Sequence, residues 1–97
     1  MATYVLLVDW TEKGVQDFKG TVDRLEAAQN QFGPLGVEFV DTYWTLGAHD
    51  MVSIVEAPDD ETLAAVLLRT ATLGNIRTTT MRVFRAEEMR SVIGIAG

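Results

Sequence analysis

Apolar and polar residues alternate along four short segments of the chain, and a period of two is typical of β-strands. The first and third segments are apolar on both sides, as central strands of a sheet are. The second and fourth contain acids, threonines and arginines, which favours edge positions. Strict alternation in the second segment places Phe39, Asp41 and Tyr43 on one face and Thr42 and Trp44 on the other. The four predicted strands are residues 3–10, 36–46, 50–57 and 76–85.

Two further segments repeat their apolar residues at the spacing of a helix. The first is predicted to begin at Thr21, as its N-cap, and to end at Gly33-Pro34. The second begins at Asp59, an aspartate N-cap that is followed by two more acids in the first turn, where the helix dipole favours negative charge. It is predicted to end at Gly74.

The order of these elements is β-α-β-β-α-β. Each β-α-β unit is expected to cross over in the right-handed sense. Two such units joined by a hairpin give an α+β domain whose four-stranded antiparallel sheet has the order 4-1-3-2 and carries both helices on one face. The sequence therefore predicts a ferredoxin-like split β-α-β fold. Residues 1–97 are expected to form one domain with a short C-terminal tail, residues 86–97, in which residues 86–95 form one or two helical turns.

The predicted sheet has more apolar surface than the predicted helices can cover. Two helices shield one face, whereas strands 1 and 3 carry apolar side chains on both faces. A large bare apolar patch is rare on a monomer. We therefore expect a homo-oligomer, either a dimer packed sheet to sheet or a ring built from such contacts.

Charge narrows the classes of partner. The net charge is −6 over 97 residues, and this argues against binding to nucleic acid, which needs a basic face. The charge is also uneven, at −9 for residues 1–61 and +3 for residues 62–97. One interpretation is pairing within the chain and a solvated surface. The other is that arginines of one subunit meet acids of another.

Several kinds of site are excluded by composition and motif. There is no cysteine, which removes disulfides, thiolate metal sites and a cysteine nucleophile. One histidine and scattered carboxylates match no metal-ligand spacing. No Gly-x-Ser-x-Gly, phosphate loop or Rossmann glycine pattern is present, so no cofactor is predicted. The amino-terminal apolar run stops at Asp9, too soon for a signal peptide or membrane span, and we expect a soluble, cytoplasmic protein.

Polar and aromatic residues are expected to meet at one edge of the sheet. The carboxyl ends of strands 1 and 2 and the starts of strands 3 and 4 lie at the same end of the predicted sheet, measured along the strands. Aromatic walls and a few polar tips are typical of small-molecule sites. The residues predicted to contact a small anionic or aromatic ligand there are Asp9, Trp10, Tyr43, Trp44, His49, Asp50 and Arg77.

Each of these residues also has a structural interpretation. His49 suits proton transfer near neutral pH, but it also fits a plain turn residue at a strand start. Gly47 suits a hairpin turn with positive φ, and Asp50 suits a cap that bonds a backbone N–H of the turn. Arg77 suits an anchor for a carboxylate or a salt bridge within the chain. The aromatic residues suit core or interface packing.

The segments "YVLLVDWTEKG", "DTYWTLGAHDMVSIVEAPDDET" and "LGNIRTTTMRVF" together resemble the GYD-domain family of small bacterial and archaeal proteins. The resemblance covers residues 3–88. It implies a ferredoxin-like fold related to the dimeric α/β-barrel proteins, with no assigned activity and no catalytic residues to transfer. The motif Gly-x-Tyr-Asp corresponds to Gly47-Ala48-His49-Asp50, so that histidine stands in the place of tyrosine.

Two functions remain open from the sequence. The first is an oligomeric module that binds a small molecule or assembles with itself. The alternative, by analogy with the dimeric α/β barrels, is a cofactor-independent, monooxygenase-like enzyme. In that case His49 would act as the acid or base and Arg77 would anchor an anion. The enzyme requires both side chains to face one cavity.

Overall fold

A computed structural model describes all residues, Met1–Gly97, as four strands and four helices. The strands are β1 (Ala2–Trp10), β2 (Glu38–Trp44), β3 (Met51–Ala57) and β4 (Ile76–Val83). The helices are α1 (Glu12–Gln16), α2 (Thr21–Phe32), α3 (Asp60–Ala71) and α4 (Ala86–Ala96). None of the helices combines the length and apolarity that a bilayer crossing requires.

The strands form one sheet in the order β2-β3-β1-β4, and every neighbouring pair is antiparallel. This is the predicted order 4-1-3-2 read from the other edge, so the predicted α+β class and sheet topology are confirmed. The two apolar strands are central and the two polar strands are at the edges. Leu7 at the middle of β1 lies opposite Val52 on β3 and Thr79 on β4.

The starts of the two long helices differ in how they are capped. Asp59 caps α3 as predicted, since its Oδ1 accepts the Thr62 N–H at 2.7 Å. The same hydrogen bond lowers the pKa of Asp59. The prediction of Thr21 as N-cap of α2 is wrong, because Thr21 is the first helical residue and Gly20 precedes it. A 3₁₀ turn at residues 18–20 leads directly into α2, and the Thr21 N–H donates to the carbonyl of Phe18.

A β-bulge changes the faces predicted for β2. Phe39 lies opposite Val55 and Asp41 lies opposite Ile54, which leaves Val40 without a partner. Because the extra residue shifts the alternation, Phe39 lies on the opposite face from Asp41. The predicted grouping of Phe39 with Asp41 and Tyr43 is therefore wrong.

The core lies between the sheet and helices α2 and α3. Tyr4 on β1 is buried, and its hydroxyl donates a hydrogen bond to Asp60 at the start of α3. Burial and this carboxylate raise the pKa of Tyr4 to about 12. The buried apolar residues are Tyr4, Leu6, Val8, Phe32, Val37, Met51, Val55, Ala57, Leu63 and Val66.

The other face of the sheet, the open face, has no helix packed on its centre. Val5, Leu7, Val52 and Ile54 are half-buried by their neighbours in the sheet and do not belong to the core. Met81, which lies opposite Val5 on β4, is 43% exposed. The chain thus leaves an apolar surface on the side of the sheet away from α2 and α3.

Helix α4 is longer than the predicted one or two turns, because it continues through eleven residues, Ala86–Ala96. Glu88 accepts the Arg85 N–H at 3.0 Å and lies 3.6 Å from the guanidinium of Arg82. The bond from the Arg85 N–H, with a smaller effect of Arg82, lowers the pKa of Glu88. No residue of α4 is buried, and its apolar Met89 and Ile93 are exposed.

Candidate functional site

The segment "YWTLGAHD" forms the end of β2, a turn and the approach to β3. Gly47 has φ of +116°, so the predicted positive φ is confirmed. The Thr45 N–H donates to the Asp50 carbonyl at 2.9 Å, and the Thr45 hydroxyl donates to the carbonyl of His49. These bonds close the turn and hold His49 and Asp50 beside the end of β1.

Asp50 ties this turn to β1. Its Oδ2 accepts the Trp10 N–H at 2.8 Å, and its own N–H donates to the Val8 carbonyl at 2.9 Å. The carboxylate therefore bonds a backbone N–H, as predicted, but that N–H belongs to β1 rather than to the turn. Two positions of the Gly-x-Tyr-Asp motif, Gly47 and Asp50, thus have direct structural tasks.

His49 contacts the carboxylate of Asp9, the residue before Trp10. The His49 Nδ1 lies 3.1 Å from Oδ1 and 3.3 Å from Oδ2 of Asp9. The two side chains are 37% and 41% exposed, so the pair is partly in solvent. No three histidine or carboxylate side chains lie close enough together to hold a metal ion.

Arg77 is the direct cross-strand neighbour of Asp9 in the β1–β4 register. Its side chain makes no ion pair within 4.0 Å, with Asp9, Asp50 or any other carboxylate. As a residue of the edge strand, Arg77 also borders a shallow groove between α3 and β4, together with Leu68 and Thr78. The guanidinium is therefore left without a partner inside the chain.

The sheet divides the predicted ligand residues between its two faces. Residues opposite one another in paired strands share a face. Asp9 and Arg77 share the open face, as do Tyr43 and Val52. Trp10 and Trp44 lie on the helix side, where the Trp44 Nε1 donates to the Thr21 hydroxyl at 3.0 Å. The predicted set lies at one edge of the sheet but on both of its sides.

A cavity of about 200 Å³ lies between the sheet and helices α2 and α3. Its lining is mostly hydrophobic, and neither His49 nor Arg77 is part of it. The indole Nε1 of Trp10, which belongs to the lining, is buried and has no hydrogen-bond partner.

The residues that line this cavity from α2 were not among the predicted site residues. Thr21, Arg24, Ala28 and Gln31 follow one another at intervals of three or four, so they share one face of the helix. That spacing was the signal available in the sequence. In this fold, a cavity between the layers is lined by the faces of α2 and α3 that point towards the sheet.

The chain therefore has a ferredoxin-like α+β fold with an open apolar sheet face and a separate cavity between the sheet and helices α2 and α3. A family model for the GYD domain matches residues 4–93, and the chain belongs to the GYD domain family. The predicted resemblance to this family is confirmed.

One curated relative is the "Glutamine synthetase and cystathionine beta-lyase binding protein" of Thermus thermophilus. It is 30% identical over 90 residues, which are 92% of this chain and 95% of the relative. The name of this relative states that it binds two enzymes.

Two solved structures have a similar fold. TTHA0845 from Thermus thermophilus is 25% identical, with a TM-score of 0.56 and coverage of 89% of this chain and 96% of that one. MtbAldR has a TM-score of 0.66 at 14% identity, and the match covers 87% of this chain. The chain spans about half of MtbAldR, 52%, and at this identity the likeness concerns the fold alone.

Proposed function

We infer that this protein is a non-enzymatic assembly and binding module, which associates with itself through the open face of its sheet. The observation that carries this proposal is the apolar centre of that face, formed by Val5, Leu7, Val52, Ile54 and Met81. Removing such a surface from water is favourable at about 25 cal/mol per Å². A second copy of the same face is the simplest cover, because it is apolar over the same area.

A two-fold axis parallel to the strands is one way in which two open faces can meet. It lays β4 of one copy over β2 of the other and keeps every residue at its own level along the strands. Arg77, which has no partner within its chain, then lies at the end of β2 that carries Tyr43, whereas Glu38 lies at the far end of β2. The proposed arrangement therefore rests on the apolar centre of the face and not on pairing between these charges.

A protein partner is the second part of the proposal. The Thermus relative is named as a binding protein for two enzymes and matches this chain over nearly its whole length. Self-association would use the open face and leave α2 and α3 on the outside. We propose that this helical outer surface is available to such a partner.

The predicted ligand residues fit this proposal as two groups. Asp9, Tyr43, His49 and Arg77 lie at one end of the open face, where a second copy would enclose them. Trp10 and Trp44 lie on the helix side, and Asp50 joins the groups through the backbone of Trp10. A small anionic molecule beside Arg77 at the subunit junction is the ligand we propose for the first group.

The enzyme alternative has one observation in its favour, the contact between His49 and Asp9. A carboxylate in this position orients an imidazole for proton transfer. The pair is partly in solvent, and the internal cavity is not lined by either His49 or Arg77. The requirement of one cavity for both residues is therefore not supported, and the binding module is the function we favour.

Light scattering after size exclusion, at about 50 µM, tests the assembly. We expect a dimer or larger species for the unaltered chain, and a monomer for Leu7→Glu. Leu68→Glu is the matched control, since Leu68 is 71% exposed on α3. We expect Leu68→Glu to keep the oligomeric mass of the unaltered chain.

Circular dichroism reports whether Leu7→Glu is folded. If Leu7→Glu is unfolded, Met81→Glu, at the exposed edge of the same face, takes its place. A monomeric unaltered chain, or a folded Met81→Glu and Leu7→Glu that both stay oligomeric, contradicts the proposal.

A further inference from the structure

The buried indole N–H of Trp10 is a donor without an acceptor. Buried polar groups are almost always hydrogen-bonded, and each exception calls for a specific explanation. The Trp10 Nε1 has no partner, whereas the indole of Trp44 donates to Thr21 at 3.0 Å. The two tryptophans of the chain thus differ in this respect, and the residue that carries the orphaned donor is part of the lining of the cavity.

The cavity around Trp10 has the size and the lining of a site for one small ring. Its volume is about 200 Å³. An apolar cavity of roughly 150 Å³ in another protein holds one benzene molecule. Leu6, Val8 and Met51 form the sheet side, and Phe32 and Val66 belong to the helix side. These side chains offer an apolar, largely hydrocarbon environment to a planar molecule.

Two polar residues of the lining lie near Trp10. Trp10 is the cross-strand neighbour of Ile76, and Asn75 and Thr78 lie next to that position on the chain. No side-chain hydrogen bond is made by Asn75 or by Thr78. A ligand oxygen at this end of the cavity would lie beside the Trp10 indole and would reach its N–H after a small movement of the ring, and the rest of the ligand would lie among the apolar residues.

We propose that this cavity binds a small aromatic molecule with one carbonyl or hydroxyl oxygen, and that the oxygen accepts the hydrogen bond of the Trp10 indole. The site is on the opposite side of the sheet from the surface proposed for assembly. It does not depend on self-association, so either proposal stands if the other fails.

The direct test is a titration of the ¹⁵N-labelled protein with two probes, acetophenone and ethylbenzene. The two probes have similar size and shape, but only acetophenone has an acceptor oxygen. The chain has two tryptophans and so gives two indole signals, which Trp44→Phe assigns. We expect acetophenone to move the Trp10 indole proton downfield and to bind about tenfold more tightly than ethylbenzene.

Two variants locate the binding. Trp10→Phe removes the donor, and we expect it to bring the affinity for acetophenone down to that for ethylbenzene. Ala28→Met fills the cavity from α2, and we expect it to weaken both probes more than tenfold. Ala65→Met is the matched control, because Ala65 is exposed on α3 and does not line the cavity. It is expected to leave both affinities unchanged.

Three results would overturn the proposal. The first is equal affinity of the unaltered chain for the two probes. The second is no displacement of the Trp10 signal at millimolar acetophenone, together with rapid exchange of the indole proton with water, which would assign a bound water as its partner. The third is an undiminished affinity in folded Ala28→Met. The comparison of the two probes on the unaltered chain decides the matter even if a variant does not fold.

Discussion

The Asp50 carboxylate accepts the backbone N–H of Trp10 at 2.8 Å and so joins the start of β3 to the end of β1. β1 pairs with β3 from Ala2 through Val8, and Trp10 lies two residues beyond that ladder. A side chain therefore takes over where the backbone pairing of the two central strands ends. The aspartate of the Gly-x-Tyr-Asp motif is explained by this bond without any ligand.

Replacement of Asp50 tests that explanation. Asp50→Ala removes the acceptor and is expected to lower the free energy of unfolding by about 1–3 kcal/mol, because the Trp10 N–H is left unpaired. Asp50→Asn keeps an oxygen at the same place and is expected to lose less than half of that amount. Glu26→Ala is the control, since Glu26 is exposed on α2, on the other side of the sheet from the open face, and makes no ion pair; a change within about 0.5 kcal/mol is expected. Urea unfolding measures all three, and a loss in Glu26→Ala equal to that in Asp50→Ala would contradict the explanation.

The turn depends on the backbone of Gly47. A Cβ at this position meets no atom within 4 Å, so the effect of a side chain comes from φ of +116° alone. Gly47→Ala is expected to destabilise the fold by about 1–3 kcal/mol. Gly94→Ala in α4 is the control, because its Cβ also meets nothing and its backbone is helical. The control is expected to cause no loss in thermal unfolding experiments. Equal melting temperatures for the two variants would show that the turn adapts to alanine.

The topology was predictable because it depends on the hydrophobic character of whole strands, which a change at one or two residues does not alter. β1 and β3 are apolar on both faces and β2 and β4 are not, which assigns the centre and the edges before any contact is known. The bulge at Val40 was not predictable in this way, since one additional residue in β2 shows itself only against its partner strand. The face that Tyr43 occupies depends on that bulge.

The sequence predicted which end of the sheet the candidate site residues occupy, but not which side chains contact one another there. The antiparallel order is enough to bring Asp9, His49 and Asp50 to one end of the sheet. Whether His49 contacts Asp9 or Arg77 depends on the path of the turn, which the sequence pattern does not describe. The cavity is harder still, because its volume is the space left between α2, α3 and the sheet after packing, and no single residue signals it.

Helix α4 is expected to contribute little to the stability of the isolated domain. None of its residues is buried, and its links to the body are an exposed ion pair and a cap, Glu88 with Arg82 and Arg85. Exposed ion pairs are worth about 0–1 kcal/mol. A chain that ends at Arg85 is expected to unfold within about 1 kcal/mol of the full chain under dilute conditions. A larger loss would indicate that the exposed Met89 and Ile93 pack against a second copy, and it should then depend on protein concentration.

The hydroxyl of Tyr4 is expected to make stability depend on pH in the alkaline range. Burial and the hydrogen bond to Asp60 hold the pKa of Tyr4 at about 12 in the folded chain, whereas an unfolded tyrosine ionises near 10. Between these values the unfolded chain releases a proton that the folded chain keeps, so stability falls as pH rises from about 10 towards 12.

Tyr4→Phe tests this dependence. Its free energy of unfolding is expected to be lower by about 0.5–1.5 kcal/mol at pH 7, since the hydrogen bond is gone, and to fall less as pH rises above 10. The difference in unfolding free energy between the unaltered chain and Tyr4→Phe should therefore shrink above pH 10. Tyr43→Phe is the matched control, because Tyr43 is 58% exposed. The difference in unfolding free energy between the unaltered chain and Tyr43→Phe is expected to stay constant over the same pH range. A difference for Tyr4→Phe that stays constant from pH 7 to pH 12 would mean that the Tyr4 hydroxyl titrates alike in the folded and unfolded chains.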